Sequence, residues 1–415
     1  MRAPRRSGSK TPDEILEERK ERIEKAIELK EPDSVPLILL SSGDVLRKYA
    51  TGYDLYFNYE KAREAIVRFV TDYNMDMFLP VLGAEGFIFA LAFAGYPDIA
   101  PAVRFWMGPM HDAIKDKFTK WPGRELPEDS VFQFIGGQFM DVREYVSLIE
   151  DPIAFINKVI LPRSCINLED IGSTKANAAL IKLGTEIFKA LKFLTDVSVD
   201  LAKAGVPSLP LTSAYAPLDF IGDFLRTPTG ILIDIRRYPG EVKRACEALM
   251  EPIIKVALAL KPSGAKYAFI PLHLNEYLSP KLYNEFYWPT LKKVIMTLYE
   301  QGIKSFVFFE GWHDAHLETI LDLPKGWGVA LFEKTDVRKA KKVLAGHTCI
   351  MGGVLSSLLL GATQDKIKEY IKVLLEEMKP GGGFILANSV DIPKNVPPEN
   401  LKVLIEAIEE KGRYH

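Results

Sequence analysis

From the middle of the chain onward, short apolar runs alternate with amphipathic stretches of helical period, as in βα units that close a parallel sheet. The apolar runs are MDMFLPVL (75–82), SLPLTSAY (208–215), KYAFIPLH (266–273), KSFVFFE (304–310), GVALFEK (328–334), TCIMGG (348–353) and GGFILANS (382–389). An eighth is expected within VFQFIGG (131–137) or AVRFWMG (102–108). Helical stretches such as SPKLYNEFYWPTLKKVIMTLYEQG (279–302) and TDVRKAKKVLAG (335–346) separate the later runs. Crowding of the last five units predicts an α/β fold, a (β/α)8 TIM barrel with an N-terminal helical elaboration; an open doubly wound sheet is the alternative.

The N-terminal part is different in kind. TPDE, beginning at Thr11, offers a Thr N-cap with Glu14 three positions on, and Glu, Lys and Arg fill most of the positions from there to Lys30. Residues 1–35 therefore read as a helical arm on the outside of the molecule, and 36–415 as the barrel with large N-terminal insertions. Neither a long Gly/Ser linker nor a repeat of constant period divides the chain.

Composition narrows the partners. Of 415 residues, 47% are apolar and 26% charged, with a net charge of -2, the balance of an ordinary soluble protein. The one basic-aromatic run, KDKFTKWPGR (115–124), is a poor nucleic-acid footprint in such a chain, so no nucleic acid is expected. Cys165, Cys246 and Cys349 are odd in number and far apart, which argues against a disulfide framework and for the cytoplasm. The basic N-terminus lacks an apolar h-region and no run is long enough to span a bilayer, so no membrane partner is expected. GGGF (381–384) precedes a strand, not a helix, and is a loop rather than a phosphate cradle. Self-association into a homodimer is left open.

In a barrel the chemistry gathers at the C-terminal ends of the strands. That rule collects Tyr215 with Asp219, His273 with Asn275 and Glu276, Glu310 with His313, Glu333 with Asp336, and Asn388 with Asp391. A carboxylate after VFF costs desolvation unless donors or a cation compensate it, so Glu310 is the strongest candidate. Competing structural roles exist. Cys349 also reads as a small buried hydrophobe, His273 as a satisfied core histidine, His313 and His316 as loop histidines, Asp219 as a helix cap and Asp336 as a first-turn charge. FWMGPM (105–110) reads as core.

EYLSPKLYNEFYWPTLKKVI, EKTDVRKAKKVLAG, IMGGVLSSLLLGATQDKIKEYI and GGGFILANSVDIPKNVPPENLKVLIEA together resemble the uroporphyrinogen decarboxylase superfamily. Within it the chain is similar to methyltransferases that work with corrinoid proteins, and it lacks the arginine-bearing N-terminal signature of the decarboxylases proper. VFQFIGGQFMDVREYVSLIEDP (131–152) resembles the branch that demethylates methoxylated aromatics. The resemblance implies a (β/α)8 barrel that moves a methyl group from a small-molecule donor, a methoxylated aromatic, to the Co(I) cobalamin of a partner corrinoid protein. A decarboxylase, a methylcorrinoid:tetrahydropterin methyltransferase and a non-catalytic scaffold are the alternatives. The zinc positions of thiol-methylating relatives fall on Phe308, Glu310 and Val390, of which only Glu310 can ligate. By the likeness of IPLHLNEYLSP, FFEG and TCIMGGV to the ether-cleaving branch, His273, Glu310 and Cys349 become the expected zinc ligands. Glu310 and His313 are the expected catalytic groups, and Tyr215, Asp219, Glu276, Glu333 and Asn388 the expected substrate contacts.

Overall fold

The computed structural model describes residues 10–41, 43–79, 86–389 and 391–414. Its main sheet holds seven parallel strands: β1 (Leu37–Ile38), β2 (Leu211–Ser213), β3 (Tyr267–Leu272), β4 (Lys304–Phe309), β5 (Gly328–Phe332), β6 (Cys349–Val354) and β7 (Phe384–Asn388), in the order β1-β7-β6-β5-β4-β3-β2. Residues 75–79 close the gap between β1 and β2. Asp76 N–H donates to Leu37 O (2.9 Å), Phe78 N–H to Pro207 O (3.0 Å) and Leu209 N–H to Phe78 O (3.1 Å). The result is a TIM-barrel α/β fold, as the run spacing predicts.

Strands buried on both faces read as near-continuous apolar runs, as these do from Tyr267 to Leu272, Phe306 to Phe309 and Gly328 to Phe332. Period two then divides each strand. Tyr267, Phe269, Phe306, Phe308, Val329 and Leu331 fill the barrel interior, whereas Ala268, Ile270, Val307, Phe309, Ala330 and Phe332 pack against the surrounding helices. Continued one step past the strand ends, the inward series becomes His273, Glu310 and Glu333. The same alternation that fills the interior therefore aims these three at the mouth.

Three expectations are corrected. The eighth run is neither candidate: Gln133–Phe134 pairs with Thr119–Lys120 in a separate two-stranded sheet, and 102–108 spans the end of the helix Ala100–Val103 and the start of the helix Gly108–Ile114. The missing strand is β1, a two-residue ladder too short to show a period. Helix α1 (Pro12–Ile27), capped by Thr11 and Glu14 as expected, is no outer arm. Its Ile23, Ala26 and Ile27 join the interior cluster and close one end of the barrel. Cys349 is the third. It opens β6 opposite Val329, four residues below Glu333, whereas Glu333 lies level with Glu310 because Phe332 pairs with Phe309. At ~3.3 Å per residue the offset is roughly 13 Å.

Val390 and residues 80–82 of the first apolar run lie outside the described residues. Among the described residues, no helix is long and apolar enough to cross a membrane. Because Ile23 is fully buried against strand side chains, Ile23→Ala should cost about 2–5 kcal/mol of unfolding free energy in a denaturant titration. A cost under ~0.5 kcal/mol, that of a surface substitution, would return α1 to the outside.

Candidate active site

His273 ends the interior series of β3 and is the centre of the site. Its Nδ1 stands 2.6 Å from Asp223 Oδ2, and the Tyr215 hydroxyl donates to the same oxygen at 2.7 Å. Asp223 comes from α2 (Pro217–Phe224), an otherwise apolar helix with two carboxylates four residues apart on one face. Burial opposes charge on His273, but Asp223 overrides it, with Glu310 and Asp219 adding to the pull, and the imidazole is raised well above its ordinary range. Tyr215 is driven the other way from ionisation by burial and by Asp223, so it stays a neutral donor.

With Nδ1 committed, Nε2 is the working atom. It faces Glu310 Oε1 at 3.5 Å, and both side chains keep partial exposure, 28% and 35%. Burial pushes the Glu310 carboxyl up to about 7; His273 pulls it down, and Glu333, Asp219 and Asp223 push it further up. A carboxyl that holds its proton near neutrality thus stands beside an imidazolium at the barrel mouth.

The loop after β4 is pinned by two other carboxylates. Gly311 N–H donates to Glu333 Oε2 at 2.6 Å and Trp312 N–H to Glu276 Oε2 at 3.1 Å. Gly311 has φ +66°, and a Cβ there would sit 2.2 Å from the Glu276 carboxyl carbon, so only glycine fits. Asn275 donates to the Glu310 carbonyl at 2.8 Å, fixing the same turn from beneath. Glu276 and Glu333 are therefore placed to hold the backbone under Glu310.

Several expected site residues have other work. Asp219 is fully buried and accepts from His273 N–H and Leu274 N–H, each at 3.0 Å, and from the Tyr287 hydroxyl. It is not the cap of α2, whose N-cap is Ala216. It ties the end of β3 to the helix, and burial pushes its carboxyl up to about 7. His313 is fully buried beside Phe309 and Tyr283, and burial lowers its basicity well below the usual range, which removes it as a proton donor at the mouth. His316 is buried too and stacks on Tyr283. Asn388 pairs with both backbone groups of Leu40, closing β1 onto β7. Asp336 caps the helix Val337–Leu344.

The zinc set does not assemble. His273 has one free nitrogen, Glu310 adds a carboxylate, and Cys349 lies deep in the barrel with a thiol that burial pushes up. Among the described residues no group of three or more His, Cys, Asp or Glu side chains is gathered as a metal would need. One residue of the site left little trace in the sequence: Asp223 was detectable only as the second carboxylate of PLDFIGDF.

Glu310 sets a pH dependence. Folded, it binds a proton up to about pH 7; its ordinary value is 4.5. The folded state therefore holds more protons between those limits, and stability falls as pH rises across them. Glu310→Gln should remove that decline and leave the variant more stable than the parent above pH 7, by chemical denaturation at pH 5 and pH 8. An identical slope in both proteins would place the Glu310 carboxyl at its ordinary value.

The comparisons with known proteins match this architecture. The methyltransferase from Methanosarcina mazei shares the fold with a TM-score of 0.62 at 16% identity, over 94% of this chain and 98% of that one. The uroporphyrinogen decarboxylase of Syntrophotalea carbinolica is 30% identical over 172 residues, which is 41% of this chain and 49% of the relative. That of Chlorobium luteolum is 34% identical over 94 residues, 22% of this chain and 25% of the relative. The chain thus spans half or less of the length of these curated relatives. Residues 165–411, which carry β2 to β7 and every member of the Asp223–His273–Glu310 site, match the uroporphyrinogen decarboxylase family, and the chain belongs to it.

Proposed function

We propose that this protein transfers a methyl group from a methoxylated aromatic to the Co(I) of a cobalamin carried by a separate corrinoid protein. The observation that carries this reading is the Glu310–His273 pair at the barrel mouth, 3.5 Å apart, with the imidazole fixed by Asp223. Cleaving an aryl methyl ether leaves the electron pair of the broken O–CH3 bond on oxygen. A carboxyl that is still protonated near neutral pH can deliver its proton there, so that a phenol departs rather than a phenolate. Afterwards Glu310 is left ionised next to His273, whose charge stabilises it.

The corrinoid, when bound, supplies the nucleophile that takes the methyl group. Exposed Tyr277, Trp312 and Leu355 follow β3, β4 and β6, and so ring the mouth with apolar surface suited to a docking protein. The fold shared with a methyltransferase supports the reading. The decarboxylase activity of the curated relatives is disfavoured by the mouth itself, where Glu276 and Glu333 hold the loop after β4 and would repel a polycarboxylate.

The test is a reconstituted assay with a corrinoid protein reduced to Co(I) and a panel of methoxybenzoates and methoxyphenols. Loss of the Co(I) absorbance with release of a phenol is expected, slower as pH rises through about 7 as Glu310 ionises. Glu310→Gln should cut the rate about 10²–10⁴-fold and flatten that profile. No spectral change with any donor, with a partner shown to be active, would overturn the reading.

A further inference from the structure

A second histidine–aspartate pair is buried outside the mouth. His111, in the helix Gly108–Ile114, is 2% exposed, and its Nδ1 stands 2.7 Å from Asp116 Oδ2. The Trp106 indole donates to the same oxygen at 3.2 Å. The other oxygen of Asp116 accepts from Phe118 N–H (3.1 Å), Thr119 N–H (3.0 Å) and the Thr119 hydroxyl (2.7 Å). One buried carboxyl thus gathers five donors, three of them from the residues that open the hairpin of Thr119–Lys120 and Gln133–Phe134. On its far side His111 Nε2 faces Glu125 Oε1 at 3.4 Å, and Glu125 accepts from Trp121 N–H at 3.0 Å. A buried polar network satisfied in this way specifies one arrangement of the chain around it, and removal of one member leaves costly unpaired groups. Here that chain is the start of the hairpin.

The hairpin lies on α2, the helix that supplies Asp223. Phe118 and Phe134 meet the Phe224 ring edge-on, at centroid distances of 5.5 and 5.4 Å. Gly136 (φ +60°) presses on the backbone beside it: a Cβ at this position would stand 2.7 Å from Asp223 O. Beyond Gly136, Phe139 N–H and Met140 N–H both donate to Leu225 O at 3.0 Å, and Arg226 Nη1 returns a bond to Met140 O at 2.7 Å. α2 has 8 residues, too few to hold its last turn unaided, and carbonyls at a helix C-terminus lack partners within the helix. The hairpin and its exit supply both needs, rings against Phe224 and donors for the carbonyl that follows it. Asp223, next to Phe224, therefore takes its place from a segment that begins at Asp116.

We propose that the hairpin is the positioning element for Asp223 and that the His111–Asp116 pair fastens it, so that two residues outside the mouth set the geometry of the Asp223–His273 hydrogen bond. They act through Asp223 and are positioning residues. The inference concerns His273 alone and holds for any substrate, so its failure leaves the methyl-transfer reading standing. The test is nuclear magnetic resonance of the full chain labelled with ring-15N histidine, without substrate. A proton in a short, charge-assisted hydrogen bond resonates far downfield, and the Nδ1–H groups of His273 and His111 each supply one. The signal lost in Asp223→Asn is that of His273. Gly136→Ala should move that signal upfield or broaden it beyond detection and leave the His111 signal in place. Phe134→Leu, which removes a ring from Phe224, should do the same to a smaller degree. His111→Gln, and the milder Asp116→Asn, which keeps an acceptor for Thr119, should also move the His273 signal. Ile23→Ala, at the end of the barrel closed by α1, is the control for lost stability and should leave both signals unmoved. A His273 signal unchanged in Gly136→Ala and Phe134→Leu overturns the proposal, as does one unchanged in both His111→Gln and Asp116→Asn. An equal change in Ile23→Ala overturns it too, because the effect would then be one of global stability.

Discussion

The 2.6 Å contact between Asp223 and His273 Nδ1 is the interaction on which the mouth depends. It fixes the ring, leaves Nε2 as the atom facing Glu310, and holds a positive charge where burial alone would abolish it. Glu310 in turn sits between that cation and three carboxylates, and this crowding with burial keeps its proton to about pH 7. Remove Asp223 and both groups lose their setting: the imidazole loses the larger part of the pull that offsets its burial, and Glu310 loses the fixed orientation of its partner.

Around this pair the protein commits many polar groups to geometry rather than chemistry. Asp219 holds the His273 and Leu274 amides, Asn275 the Glu310 carbonyl, and Glu333 and Glu276 the two amides after it. Gly311 is the residue that permits Glu276 to pack so closely. Such a frame confines the two working side chains, a condition for holding a substrate in one orientation.

Much of the barrel was legible because buried parallel strands have to be apolar throughout and their spacing follows the βα unit. Glu310 and His273 were legible for a related reason: each breaks an apolar run at the end where barrel chemistry occurs. β1 was not, since two residues carry no period, and α1 misled because its exposed face is so rich in charge that the few buried residues, Ile23, Ala26 and Ile27, hardly register. Cys349 failed as a ligand because position along a strand matters as much as residue type; it begins β6 rather than ending it. Asp223 depends on which helix packs over which strand end, a relation between distant segments that no local pattern encodes. Asn388, read as a substrate contact from its place at a strand end, serves the closure of β7 onto β1.

The proton at Glu310 is what every step of the chemistry requires, and infrared difference spectroscopy can observe it directly. The carboxylic acid C=O band of the wild-type protein minus that of Glu310→Gln, followed from pH 4 to pH 9, isolates this one group. A band that titrates near pH 7, and moves when Asp223 is replaced by Asn, is the expected result. A band already lost by about pH 5, as for an ordinary glutamate, would mean that Glu310 carries no proton at neutral pH and cannot be the acid of this site.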